Sequence, residues 1–142
     1  MSYEPFFEIL STADLTDEKR NSVKRTLETI FEGHKEEEDE EDIMPPNRGS
    51  FRQMIAFLEK HPELPVPAIN LNAEGLFTVS YRQDGKSRKD FHVTFNDDEV
   101  VDEVKIGKVR GRIDVKRREA IRPSQIRVPT WAQNSNQYPA QS

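Results

Sequence analysis

Three histidines, scattered serines and no cysteine are what this 142-residue chain offers for chemistry. Without cysteine there is no disulfide framework, no thiolate zinc site and no thiol nucleophile. His34 follows Gly33, where a helical pattern ends; His61 precedes Pro62; His92 falls on the polar side of a strand pattern. No two of them stand four residues apart, and none belongs to a carboxylate-spaced ligand motif, so they read as surface histidines. A nucleophile needs a base and an orienting group beside it, and Ser22, Ser50 and Ser80 sit in no such motif. Gly107 and Gly111 lack the Lys-Ser/Thr that completes a phosphate-cradling loop. With 26 acidic residues in the chain, carboxylate pairs at any spacing carry no information. The expectation is a protein with no catalytic residue, no metal ligand and no cofactor: not an enzyme.

Charge says more. Residues 1–50 carry 14 acidic and 6 basic side chains, 51–104 carry 10 and 6, and 105–142 carry 2 and 9. The net charge of −5 therefore hides a reversal of sign along the chain, which bears on partners rather than on fold. Lys105, Lys108, Arg110, Arg112, Lys116, Arg117, Arg118, Arg122 and Arg127 fall within 23 residues. Such a stripe can displace counterions from a nucleic-acid backbone, which makes Lys105, Lys108, Arg110, Arg112 and Lys116 candidate phosphate contacts. It lacks a recognition helix and interleaved aromatics; its plainer use is to balance the acidic run or keep an edge strand soluble. That run, Lys35 to Asp42, holds seven acids in eight residues, a solvated linker in its plain reading and a strip for a partner's basic groove in the sharper one. In the tail, Ile126-Arg127-Val128-Pro129-Thr130-Trp131 is an apolar island of the kind that orders on docking; the alternative is a tryptophan folded back on the sheet. Arg117, Arg118, Arg122, Arg127 and Trp131 are accordingly the candidate partner-binding residues, since arginine and tryptophan anchor interfaces.

The elements that would hold these residues follow from periodicity. Thr16 before Asp17 and Glu18 caps a helix whose apolar stripe is Val23, Leu27, Ile30 and Phe31, predicted over Thr16–Glu32. Pro45-Pro46-Asn47 marks a boundary after the acidic run. Ser50 with Gln53 suggests a capping box for a second helix with Phe51, Met54, Ile55 and Leu58 on one face. From Pro65 the period becomes two. Ile69/Leu71, Phe77/Val79/Tyr81 and Phe91/Val93/Phe95 alternate with polar residues, with turns at Ala73-Glu74-Gly75, Asp84-Gly85 and Asn96-Asp97-Asp98, and Val100–Ile106 makes a fourth strand. Ile113–Ile121 reads either as a further short strand or as a basic helix capped by Asp114.

The fold class expected is α+β: a four-stranded antiparallel meander packed by one or two helices, with a charged linker and a disordered C-terminal tail. The division is 1–33 N-terminal helical segment, 34–49 acidic linker, 50–106 helix-plus-sheet core, and 107–142 basic arm and polar tail. Composition agrees with one small core, since 34% of residues are hydrophobic and 33% charged, against roughly half and a quarter in an average globular domain. Glu4 and Glu8 interrupt the apolar N-terminus, which has no basic n-region and so is not read as a signal peptide. No apolar run approaches the roughly 18 residues a spanning helix needs. A soluble, cytoplasmic protein with no membrane contact is expected.

The stretch Ser50–Glu103 resembles small bacterial proteins in which a helix ends in a Leu-Pro turn, here Leu58 to Pro67, followed by Pro-x-Ile, here Pro67 and Ile69. A Gly-led strand comes next, here Gly75–Tyr81, and then a strand closing in an Asp/Asn turn, here Phe91–Asp98; Tyr81 stands where tryptophan is usual. Such proteins occur beside toxin, defence or mobile-element genes, and the resemblance implies an accessory or antitoxin-like role. The leading expectation is a protein-interaction module of bacterial or phage type, with another protein as partner; the runner-up is nucleic acid bound through the basic segment.

Overall fold

A computed structural model of the chain describes residues 4–36, 45–84, 87–96, 101–109, 112–122 and 125–134; between Asp102 and Val109, and between Arg112 and Ala120, it describes backbone path and register. The architecture is α+β. Helices α1 (Glu4–Thr12), α2 (Asp17–Glu36) and α3 (Arg48–Lys60) precede strands β1 (Ala68–Leu71), β2 (Phe77–Gln83), β3 (Ser87–Phe95), β4 (Val101–Val109) and β5 (Arg112–Ile121). A 3-10 helix, Thr130–Asn134, follows.

The sheet is antiparallel in the order β1-β2-β3-β4-β5, a meander of five strands rather than the four expected. The fifth is the basic segment: Arg112–Ile121 pairs with β4 and is not a helix. Its β-branched residues Ile113 and Val115 alternate with polar ones, a strand period that outweighs the capping option of Asp114.

Helix α1 was not expected from the sequence. Pro5 suits a first helical turn, and Phe6 and Leu10, four apart, bury one face together with Ala13. Helix α2 runs past Gly33 to Glu36; one glycine costs a helix interior only about 1 kcal/mol, and of the expected stripe Val23, Leu27 and Phe31 are buried while Ile30 is half-buried. The cap of α3 is Asn47, whose Oδ1 accepts from Ser50 N at 2.8 Å, so the capping box expected at Ser50 is corrected. Ser50, buried, instead accepts at Oγ from Phe77 N at 2.8 Å, and Gln53 Nε2 donates to Asn96 O. One helix face is thereby tied to the open end of the β2–β3 hairpin, where β2 begins at Phe77 and Asn96 follows β3. The β1–β2 turn closes with Asn72 Oδ1 accepting from Glu74 N and Leu76 N, each at 2.9 Å, and Gly75 at φ 80°, which glycine adopts without steric cost.

The expected core is the observed one. Phe77, Val79, Phe91, Val93 and Phe95 are buried beneath Phe51, Ile55 and Leu58. Phe6, Leu10, Val23, Leu27 and Phe31 belong to the same cluster, so the N-terminal helices share this core rather than stand apart from it. Four phenylalanines from four elements meet there: Phe6 lies 5.4 Å from Phe31 and 5.3 Å from Phe51, and Phe51 lies 5.1 Å from Phe77, ring centre to ring centre. Residues 125–134, expected to be part of a disordered tail, are also in the fold. Ala132 is fully buried, and Ile126, Val128 and Trp131 pack half-buried against the cluster. The acidic run from residue 37 on, the turn residues Gly85, Asp97 and Asp98, and residues 135–142 lie outside the described residues.

Across β4 and β5 the sheet's polarity inverts. Directly opposed residues share a face, and Phe91, Val93 and Phe95 stand opposite Lys105, Glu103 and Val101. On the core face the ladder therefore continues from Val101 into Glu103 and Lys105, paired with Arg118 and Lys116. On the reverse face, the ladder of Ser80 and His92 leads to Val104, and Asp90 leads to Ile106 and Val115. The apolar residues of β4 and β5 beyond Val101 are thus mostly on the face away from the helices.

Candidate interaction surface

Strand β5 ends the ladder and pairs, among the described residues, with β4 alone. Its basic residues are held in a fixed register: Arg118 opposite Glu103, Arg117 opposite Val104, Lys116 opposite Lys105 and Arg112 opposite Val109. Lys108 stands opposite both Ile113 and Arg88. Arg112, Lys116, Arg118 and Lys105 thus share one face with Glu103 and Asp114, while Arg117 and Lys108 are on the other. Arg110 lies outside the described residues.

The remaining candidates are elsewhere. Arg122, exposed just after β5, donates its backbone N–H to Gln125 Oε1 at 3.0 Å, and Arg127 is exposed. Trp131 sits in the 3-10 helix that packs on β2, where Gln83 Nε2 reaches Asn134 O at 3.3 Å. Three strand spacings, about 14 Å, separate the backbone of β2, on which the helix of Trp131 packs, from that of β5.

Two polar clusters escaped sequence reasoning. Ser80 and His92 are directly opposed, with Ser80 Oγ and His92 Nδ1 at 2.7 Å. A serine bonded to a histidine is half of a nucleophile–base pair. Both residues lie on interior strands of the sheet, β2 and β3. The pair is a cross-strand tie beside Thr78–Thr94, whose hydroxyls are 3.0 Å apart.

The second cluster joins α2, α3 and β2. Lys19, only 4% exposed, donates Nζ to His61 O at 3.1 Å and Pro62 O at 3.4 Å, a cation on the carbonyls that end α3. Burial lowers the lysine's pKa, partly offset by Glu63. Glu63 Oε1 lies 3.1 Å from His61 Nδ1, and its pKa is lowered, first by its own backbone N–H and then by His61. Tyr81 is fully buried nearby, and among the described residues its hydroxyl has no hydrogen-bond partner. Burial first, and the charge of Glu63 second, raise its pKa. Because an orphan buried hydroxyl costs about 1–3 kcal/mol, Tyr81→Phe is expected to be about 1 kcal/mol more stable in urea unfolding at neutral pH. The phenol's raised folded pKa gives a contribution that is full below about pH 10, the unfolded value, and is lost as pH rises further. The phenylalanine variant should lack that alkaline loss; a variant less stable than the parent would mean the hydroxyl is bonded.

Among the described residues no group of three His, Cys, Asp or Glu is placed to hold a metal ion, and no helix is long and apolar enough to cross a membrane. Compared with protein-family models, curated proteins and solved structures, the chain matches none.

Proposed function

We propose that the chain is a non-catalytic interaction module, of the bacterial or phage accessory or antitoxin-like kind, that offers its basic edge strand to another protein. The observation that carries this reading is the position of β5, a strand with Arg112, Lys116, Arg117 and Arg118 at the end of the sheet. An edge strand presents backbone donors and acceptors that an extended partner segment can match, and the flanking charges select an acidic one. Rigid display favours this over a flexible arm, since less ordering entropy is lost on docking.

Nucleic acid is the second reading, supported by Lys105 and Lys116 being directly opposed, with Arg112 and Arg118 on the same face. Glu103 and Asp114 on that face oppose a phosphate backbone and suit a protein surface of mixed charge. Capture of partners from source-cell extract, with and without nuclease and at two salt concentrations, tests both. Protein binding should survive nuclease and weaken modestly with salt. A nucleic-acid ligand would be lost to nuclease and would weaken with a log–log slope near −0.9 per phosphate contacted.

A further inference from the structure

The inversion of polarity across β4 and β5 has a second consequence. On the reverse face β4 reads Asp102, Val104, Ile106, Lys108: an acid at one end, two β-branched residues in the middle, a base at the other end. Beside them on β5 stand Ile113, Val115 and Arg117. Four β-branched residues thus occupy neighbouring register positions on the face away from the three helices, a pattern that in a period-two strand marks a second buried side. We propose that this face is covered by the same face of a second copy of the chain, packed sheet on sheet about a twofold axis.

The charges choose both the occupant and its orientation. In a twofold interface each residue meets the one related by the axis, so the patch must complement itself. With the axis perpendicular to β4 and centred between Val104 and Ile106, the facing strands run antiparallel. Asp102 of each copy then lies over Lys108 of the other and Val104 over Ile106, while Arg117, level with Val104 on β5, comes level with Val115 of the other copy at the flank of the patch. Parallel facing strands would set Asp102 over Asp102 and Lys108 over Lys108. The span from Asp102 to Lys108 is six residues, about 20 Å at strand rise, and packed sheets sit about 10 Å apart. Extending the sheet edge to edge is the other way two copies could join, but it would set the β5 strands side by side, with Arg112, Lys116, Arg117 and Arg118 against their own copies. Basic edge strands resist that kind of pairing. The sandwich leaves both β5 edges open and does not depend on the partner-binding role proposed above.

Sedimentation velocity of the full chain across the micromolar range should show a dimer. Ile106→Lys should give a monomer with an unchanged far-UV spectrum. Asp102→Lys should weaken dimerisation by about tenfold or more, since two ion pairs become repulsions, and Asp102→Lys combined with Lys108→Asp should restore it. The charge pair keeps the test decisive even if Ile106→Lys misfolds. A wild-type chain that stays monomeric would overturn the proposal. So would single variants that dimerise like the wild type, or a double variant that restores nothing.

Discussion

Phe6→Ala should leave the chain about 3–5 kcal/mol less stable, the usual loss for a buried phenylalanine cut to alanine. Phe6 is 2% exposed and stands among Phe31, Phe51 and Phe77, at 5.4, 5.3 and 6.3 Å between ring centres. Its ring touches rings of α2, α3 and β2, while Leu10 and Ala13 join the same core beside it. Its removal takes away three tilted or edge-on ring contacts as well as buried area, and the space left is walled by other aromatic rings that cannot readily collapse. Against a total of about 5–15 kcal/mol for a domain of this size, such a variant would be close to unfolding. Equilibrium urea denaturation reads it directly. A loss below about 1 kcal/mol, far short of a core truncation, would detach α1 from the core.

Arg20→Ala should cost about 2–3 kcal/mol, large for a residue near the surface. Arg20 Nη1 donates to Leu10 O and Nη2 to Ala13 O, each at 2.5 Å. Leu10 O, which also accepts from Ala13 N at 3.2 Å, and Ala13 O lie in the last turn of α1 and just beyond it, where the i+4 donors run out, and hydrogen bonds from a charged donor contribute about 1.5–3 kcal/mol net. Lys19, the preceding residue, does the same for the end of α3. Two consecutive cations at the start of α2 therefore close the C-termini of two other helices. They do so against the dipole of their own helix, so the contacts they make must outweigh that repulsion. Arg20→Lys should recover only part of the loss, because an ammonium cannot span both carbonyls as a planar fork does. Full recovery by lysine would show that charge alone matters.

What the sequence made legible was set by local patterns. Period two locates β1, β2 and β3 and the buried residues of β2 and β3, and the stripe Val23, Leu27, Ile30 and Phe31 locates α2, with Ile30 only half-buried. Helix α1 is hard to read because Glu4 and Glu8 interrupt the apolar run of Phe6, Phe7, Ile9 and Leu10, although Phe6 and Leu10 are one helical turn apart. Asn47 looks like linker because it follows Pro45-Pro46, yet it is extended at φ −89° and ψ 124°, as an N-cap is. Ser50 then took the cap's role by default, while its hydroxyl bonds Phe77 N, 27 residues away. The contacts of Lys19 and Arg20 have no local signature, since their acceptors are set by how three helices pack. Strand β5 was ambiguous because basic residues mask its alternation. Only its register with β4 reveals which residues share a face, and hence that the nine clustered cations include some on each side of the sheet.

The central claim is that β5 is the surface the partner meets, and charge reversal there tests it most directly. Arg112→Glu, Lys116→Glu and Arg118→Glu combined alter one face of the edge strand and leave the buried phenylalanine cluster intact. The full-length variant, checked for an unchanged unfolding transition, should capture the partner protein at least tenfold less well than the parent in nuclease-treated extract, since each desolvated charge pair lost at an interface costs about 2 kcal/mol or more. Trp131→Ala should leave capture far less affected, because Trp131 packs beside β2. A triple variant that folds normally and captures the same protein at full strength would contradict the account and move the contact surface off β5.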